Sequence, residues 1–440
     1  MEPIVVDVIG GGLAGCEAAW QLARRGVRVR LFEMRPGVPT PAHTTANLAE
    51  LVCSNSLGSK LPDRATGLLL AELKRLGSLL AASAEKTSVP AGGALAVDRD
   101  AFSAEVTRAI AAEPLIEVVR CEVREIPANR PAVIAAGPLA SDALAAALQA
   151  FTGEENLAFF DAIAPIVQLD SVDMNIAYRA SRRDRGERED GDYINCPLNK
   201  EQYFAFVEAL AKAETFPLHG FERDDKRFFE GCLAVEVLAK RDPLALRFGP
   251  MRGVGLDDPK TGRWPFAAVQ LRQDNLADTL YNLVGFQTNL KWPEQERIFR
   301  TIPGLENAAF VRFGQMHRNT FVKAPAVLDA TLECRKAPGL FLAGQIAGIE
   351  GYLGSVGTGL LAGMNAARAV QGLPSQTLPR ETMLGALCHY LANAAPAEFQ
   401  PMKANFGILP PLEKPPKSKR DRYQAYATRA LAALDEWQHG

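Results

Sequence analysis

The sequence predicts an α/β fold in which a parallel-sheet domain, discontinuous along the chain, is interrupted by a smaller α+β domain. Three observations carry this expectation. The N-terminus runs strand, glycine turn, helix, strand; a glycine-rich strand and helix return at 339 to 368; and the stretch from about Pro165 to Pro303 consists of short extended pieces without strand–helix alternation. The expected division is 1–164 for the first part of the split domain, 165–304 for the insertion, and 305–440 for the second part with a C-terminal helix.

The first element is "IVVDVIGGGLAGCEAAWQLARRGVRVRLFE", in which a β-branched run from Ile4 to Ile9 breaks at glycines, continues as an apolar-periodic helix to about Arg25, and resumes as a strand ending at Glu33. Gly10, Gly12 and Gly15 form G-x-G-x-x-G at the strand-to-helix turn. The three permit the tight turn, the close approach of backbone to a pyrophosphate, and helix–strand packing, while Glu33 stands where a carboxylate accepts hydrogen bonds from a ribose diol. This is the signature of a Rossmann-like dinucleotide site.

Spacing alone does not separate NAD from FAD. The return segment "GLFLAGQIAGIEGYLGSVGTGLLAGMNAAR" favours the flavin: a strand from Leu340 to Ala343 is followed by Gly344 and by a helix expected to open near Gly357 to Gly359. The positive end of that helix would face the pyrophosphate or the electron-rich edge of the isoalloxazine. Gly344, Gly357 and Gly359 therefore join the FAD-binding set, and "RPAVIAAGPLASDAL" supplies a further strand beneath the nucleotide.

Composition narrows the class of protein. With 440 residues, 48% hydrophobic and 23% charged, the chain can bury a large core, and a formal net charge of -2 argues against a surface coated for non-specific nucleic-acid binding. Basic residues are local, in "RASRRDRGERED" and in Lys414, Lys417, Lys419, Arg420 and Arg422 at the entry to the last helix. The first reads as a solvated loop ahead of an RNA contact, since mixed charge blocks are usually solvated, and the second as phosphate contacts or as a solubilising tail. No apolar run is long enough to span a bilayer and no leader pattern opens the chain, so a cytoplasmic location is expected. The seven cysteines are widely spaced with no C-x-x-C pair, which speaks against a disulfide framework and against zinc; no metal site is expected.

Two cysteines sit in polar, glycine-containing surroundings: Cys53 in "ELVCSNSLGSK" and Cys232 in "RFFEGCLAVEV". Together with "FGPM", "LRQDN", "YNLVGFQTNLKW", "IPGLENAAFVRFGQMHRNTF" and "LFLAGQIAGIEGY", these stretches resemble the folate- and FAD-dependent tRNA (uracil-5-)-methyltransferase family over nearly the whole chain. The resemblance implies methylation at C5 of a uridine in the tRNA T loop. It implies methylenetetrahydrofolate as carbon donor, FAD as carrier and reductant, and NADPH or NADH to reload the flavin. A larger family of tRNA-modifying flavoproteins shares the nucleotide-binding core.

The chemistry asks for two such groups. C5 of uracil is a poor nucleophile, so a thiolate must add to C6 first, and after transfer the C5 proton must leave to a base. By resemblance Cys232 is the nucleophile and Cys53 the base or a flavin-side helper. His317 and Arg318 in "QMHRNTF" are candidate folate contacts, and Asn289 and Lys291 in "QTNLKW" are weaker ones. Two other readings stand beside this one: a small-molecule flavin oxidoreductase, in which the cysteines are incidental, and a non-catalytic, flavin-containing tRNA-binding protein.

Overall fold

The computed structural model describes residues 4–153, 157–162, 164–184, 186–216 and 233–439. Its first sheet has six strands in the order Glu333–Cys334, Ala337–Leu342, Ala132–Ile134, Val5–Ile9, Arg28–Phe32 and Ile116–Val119. The last five run parallel, and only Glu333–Cys334 lies antiparallel to its neighbour. Parallel strands covered on both faces must be apolar throughout, and the central ones are: Val6, Val8, Val133 and Ile134 have no exposed surface. Both ends of the chain thus enter one sheet, a Rossmann-like arrangement.

Two helices cover this sheet in close contact, Leu13–Ala23 and Tyr352–Val370. A Cβ on Gly359 would lie 2.2 Å from the Ala14 carbonyl oxygen, and one on Gly363 would lie 2.5 Å from that of Ala18. The backbones meet only because both positions lack a side chain. The second helix opens at Tyr352, after Gly344, Gly348 and Gly351 have carried the chain through positive-φ turns. It does not open near Gly357 to Gly359, as the sequence led us to expect, because glycines there serve helix packing rather than the turn.

The second sheet is antiparallel, in the order Tyr178–Ala180, Tyr193–Leu198, Ala267–Gln273, Leu280–Leu283, Ile166–Gln168 and Phe310–Arg312. Its strands come from the middle of the chain, and the last lies beyond residue 304. Alternation divides its two faces. Ala267, Val269 and Leu271 join a core with Tyr203 and Phe206 of helix Lys200–Lys212 and Phe299 of helix Trp292–Phe299, while Gln270 and Arg272 point the other way. That second face meets a loop of the first domain through Asn55 and Ser54.

No helix among the described residues is long and apolar enough to cross a membrane. Nor, among those residues, do three or more His, Cys, Asp or Glu side chains gather in a way that would hold a metal. The C-terminal helix spans Lys419–His439.

Candidate active site

In a parallel sheet, ligands bind beyond the carboxyl ends of the strands where the strand order reverses. Here that point is the end of Val5–Ile9, flanked by Arg28–Phe32 on one side and Ala132–Ile134 on the other. A cleft of about 980 Å³, open mouth included, lies there, lined by Gly10, Gly12, Glu33, Ala136, Gly344 and Tyr352 among others.

Each predicted glycine of the turn has a distinct job. Gly10 adopts φ +105, and a Cβ on it would meet the Ala135 carbonyl oxygen at 2.5 Å. At Gly15 a Cβ would stand 1.8 Å from the Gly10 carbonyl oxygen, so helix and strand are in backbone contact. A Cβ on Gly12 would meet nothing within 4 Å; it would project into the open cleft. Gly12 is also the N-cap of helix Leu13–Ala23 and has no side-chain cap bond, which leaves that helix end aimed at the cleft for an anion.

Glu33 lines the cleft and is almost fully buried. Its Oε2 accepts from the Gly11 N–H at 3.0 Å and from Arg35 Nη2 at 3.2 Å, and its Oε1 accepts from the Arg35 N–H at 2.9 Å and from Arg35 Nε at 3.0 Å. Burial works against ionisation of Glu33, but the Arg35 bonds outweigh it and hold the carboxyl below its usual range. An ionised carboxylate offers about four acceptor sites, so a ribose diol reaches Glu33 only by sharing or displacing one of these donors. Gly11 and Arg35 escaped the sequence reading. The second glycine in "GGG" was the only local signal for the first, and nothing local marks the second. His43 also lines the cleft, with Nδ1 2.6 Å from Thr40 Oγ1; burial, then the nearby Arg35 charge, lower its pKa to about 4, so the ring is neutral at physiological pH.

From the second half of the chain, Gly344 reaches the cleft with φ +79, its N–H donating to Thr358 Oγ1 at 2.9 Å. Tyr352 and Ser355, in the first turn of their helix, also line it. Gly357 and Gly359 are buried within that helix, where a Cβ would strike Leu384 Cδ1 at 2.8 Å or the Ala14 carbonyl at 2.2 Å respectively. They bring helices together and are not among the residues that line the cleft.

Cys53 is half-buried and follows Val52, which lines this cleft. Its loop is held at four successive points. The Leu51 carbonyl accepts from Arg99 Nη1 at 3.1 Å, the Cys53 N–H donates to Tyr352 Oη at 2.9 Å, Ser54 Oγ accepts from Arg272 Nη2 at 2.7 Å, and Asn55 Oδ1 accepts from Arg272 Nε at 2.8 Å. Asn55 also donates to the Val97 and Gln273 carbonyls, and Asn282 Nδ2 donates to Asn55 Oδ1 at 3.0 Å. Tyr352, Arg272, Gln273 and Asn282 lie more than 200 positions from this loop, and Arg99 and Val97 more than 40, which is why no local pattern revealed them.

The remaining expected residues fall elsewhere. Cys232 lies outside the described residues. His317 and Arg318 belong to strand Met316–Phe321, opposite Asp161 and Phe160 of Leu157–Ala162; their side chains lie outside the described set. The Asn289 N–H donates to Glu236 Oε1 at 2.8 Å and its side chain to the Phe216 carbonyl, while Lys291 forms an exposed ion pair with Glu214. In the basic loop, Arg179 and Arg188 both reach Asp278, and Arg182 donates to the Val254 and Arg252 carbonyls. Lys414, Lys417, Lys419 and Arg420 are exposed.

A family model described as glucose inhibited division protein A matches residues 5–374. The methylenetetrahydrofolate–tRNA-(uracil-5-)-methyltransferase TrmFO of Heliobacterium modesticaldum is 55% identical over 434 residues, covering 99% of this chain and 98% of that protein. The protein of the same name from Thermosynechococcus vestitus is 56% identical over 437 residues, covering 99% and 94%. Among solved structures, GidA of Aquifex aeolicus superposes with a TM-score of 0.71 at 17% identity, covering 99% of this chain and 73% of that one, a likeness of fold. A family match across most of the chain, with relatives more than half identical over nearly all of it, identifies the chain as a member of the glucose inhibited division protein A family, alongside the methylenetetrahydrofolate–tRNA-(uracil-5-)-methyltransferases.

Proposed function

We propose that this protein methylates C5 of a uridine in tRNA with methylenetetrahydrofolate as the carbon donor, acting on the T loop to form ribothymidine. Relatives of that name, more than half identical over nearly the full chain, support the reaction. The observation that carries the residue-level reading is the place of Cys53: its N–H is bonded to Tyr352, a residue that lines the dinucleotide cleft.

The cleft fits FAD. Gly12 leaves open space where a side chain would stand, the end of helix Leu13–Ala23 is bare of a side-chain cap, and Glu33 is held ionised at the end of the second strand. Gly10, Gly12, Gly15, Glu33 and Gly344 would hold the dinucleotide; once bound, FAD supplies the carrier and the reducing equivalents, renewed by NADPH or NADH. The chain's own groups do the rest. Cys232, in the inserted segment 165–304, adds to C6 of the uracil and is expelled at the end. Cys53 takes the C5 proton, and the Arg99 and Arg272 charges near it favour the thiolate that this requires. His317 and Arg318 meet the folate. The exposed lysines at 414 to 419 contact tRNA phosphates, and the protein works in the cytoplasm.

The test uses flavin-loaded protein, labelled methylenetetrahydrofolate, NADPH and unmodified tRNA, with label in the RNA as the readout. RNA carrying 5-fluorouridine then separates the cysteines, because fluorine at C5 blocks release of the attacking sulfur. Cys232→Ala loses both transfer and covalent adduct; Cys53→Ala loses transfer but still forms adduct. An adduct mapped to Cys53 and retained by Cys232→Ala reverses the assignment.

A further inference from the structure

Arg272 is buried on the face of the second sheet that meets the first domain, and it stands out by what surrounds it. Its hydrogen bonds go to neutral acceptors: Asn55 Oδ1 at 2.8 Å, Ser54 Oγ at 2.7 Å and Asn282 Oδ1 at 3.3 Å. The neighbouring buried arginine is treated differently. Arg99 Nε lies 3.1 Å from both carboxylate oxygens of Asp274. Among the described residues no carboxylate forms an ion pair with Arg272. Burying a guanidinium whose hydrogen bonds go to neutral partners is costly: burial lowers the Arg272 pKa, and the nearby Tyr193 and Asp274 offset that only in part. Such an arrangement is explained if a negative charge arises beside it during the reaction.

The charged and titratable groups around this point come from five elements and the loop itself. Arg272 and Asp274 flank the end of strand Ala267–Gln273, Arg99 opens helix Arg99–Ala111, and Tyr193 stands on the adjacent strand Tyr193–Leu198. Tyr352 bonds the Cys53 N–H, and Arg312 of strand Phe310–Arg312 lies within electrostatic reach of Arg99, Tyr352 and Asp274. Cys53 interacts electrostatically with both Arg99 and Arg272. Asp274 is ion-paired with Arg99, whereas Arg272 has no ion pair among the described residues and is bonded to the two residues that follow Cys53, which places its charge to answer one on the Cys53 sulfur.

We propose that Arg272 is a positioning residue for the Cys53 thiolate, holding the side chains of Ser54 and Asn55 that follow it in the loop and supplying the charge that keeps it ionised; this rests on the reading that Cys53 takes part in the transfer. It joins the two sheets functionally: the thiol belongs to the nucleotide domain and its counter-charge to the other. Substitution of Arg272 acts through Cys53 and not through the flavin.

The experiment follows iodoacetamide alkylation of full-length, flavin-loaded protein through a pH series, with the rate at the Cys53 peptide read by mass spectrometry so that other thiols do not contribute. Arg272→Met reacts about tenfold more slowly at neutral pH, with its midpoint about one pH unit higher, whereas Arg272→Lys keeps most of the wild-type rate and midpoint. A Met variant with wild-type rate and midpoint overturns the proposal. So do Lys and Met variants that slow equally with an unmoved midpoint, which would make Arg272 a part of the fold alone. If Arg272→Met does not retain flavin, Ser54→Ala decides, because it removes one Arg272 contact and leaves the charge; a rate lowered about threefold supports the proposal and an unchanged rate overturns it. Full methyl transfer by Cys53→Ala removes the role of Cys53 itself, and with it the use of Arg272 in the reaction, whatever alkylation shows.

Discussion

In and beneath the glycine cleft the decisive contacts are between backbones: Gly15 against the Gly10 carbonyl and Gly10 against Ala135 around the turn, and Gly359 against the Ala14 carbonyl where the two helices pack. At the junction behind Cys53 the contacts run through side chains, with Arg99, Arg272, Asn55, Asn282 and Asp274 each bonded to at least one other of the group. A backbone contact is set by the absence of a side chain, so glycine alone satisfies it. A polar network is set by matching donors to acceptors, and the loss of one member leaves its partners buried and unsatisfied. The cleft therefore fails by steric exclusion, and the junction fails by stranded polarity.

The largest effect expected from this contrast is at Gly15. Gly15→Val places atoms inside the Gly10 carbonyl, and since backbone cannot yield there, destabilisation of about 3 kcal/mol or more is expected, seen as a collapse of the melting temperature and of soluble yield. A Gly15→Val protein with a wild-type melt would break the backbone-contact account. Next comes the junction. Asn55→Ala removes the acceptor of Arg272 Nε and strands two carbonyls, those of Val97 and Gln273, so a loss of about 2 to 3 kcal/mol in urea unfolding should accompany slower alkylation of Cys53. Stability unchanged within error would show the network to be dispensable.

Gly12→Val sharpens the comparison from the other side. Its Cβ meets nothing within 4 Å, so the fold should lose about 1 kcal/mol or less, for the poorer helix cap. The flavin absorbance of the purified protein should nevertheless disappear, because the side chain occupies the space needed by the pyrophosphate. Stoichiometric FAD in this variant would contradict the assignment of the cleft.

The smallest effect per step concerns Glu72, a side-chain link inside the glycine-rich domain. Its carboxyl accepts from the Met383 and Leu384 N–H groups at 2.7 and 3.0 Å, at the start of helix Met383–Asn393. Burial dominates over these bonds and raises its pKa from 4.5 to about 8. The folded state therefore holds a proton that the unfolded chain releases, and stability is present at low pH and falls as pH rises between about 4.5 and about 8, by at most about 1.4 kcal/mol per pH unit. Melting temperatures across that range should decline in wild type and decline less in Glu72→Gln. An equal slope in both would remove Glu72 as the source.

Sequence reading succeeded where one short segment carries both the signal and the structure. The strand, turn and helix around Gly10, Gly12 and Gly15, with Glu33 at the end of the next strand, are decided by local steric rules, and so is the change of texture in the middle of the chain that became the antiparallel sheet. It misjudged the return helix. Gly357 and Gly359 look like a glycine turn in one dimension, and only the helix Leu13–Ala23 lying against them shows that they are packing positions. For the arginines of 179 to 188 it offered a solvated loop or an RNA contact, and it had no means of showing that Asp278, from a distant turn, engages two of them.

What the amino-acid order determined by itself was the identity of the parts: a dinucleotide-binding turn, an acid at its second strand, two cysteines of chemical interest, and a family resemblance spread over the whole chain. What only the tertiary structure decided was their company. Arg35 on Glu33, Tyr352 on the Cys53 amide, and Arg272 behind the Cys53 loop are partnerships across 2, 299 and 217 or 218 positions respectively. The physical reason is that a steric rule about φ acts within one turn of chain, whereas a charge or a hydrogen-bonding group is satisfied by whatever the fold brings within about 3 Å of it.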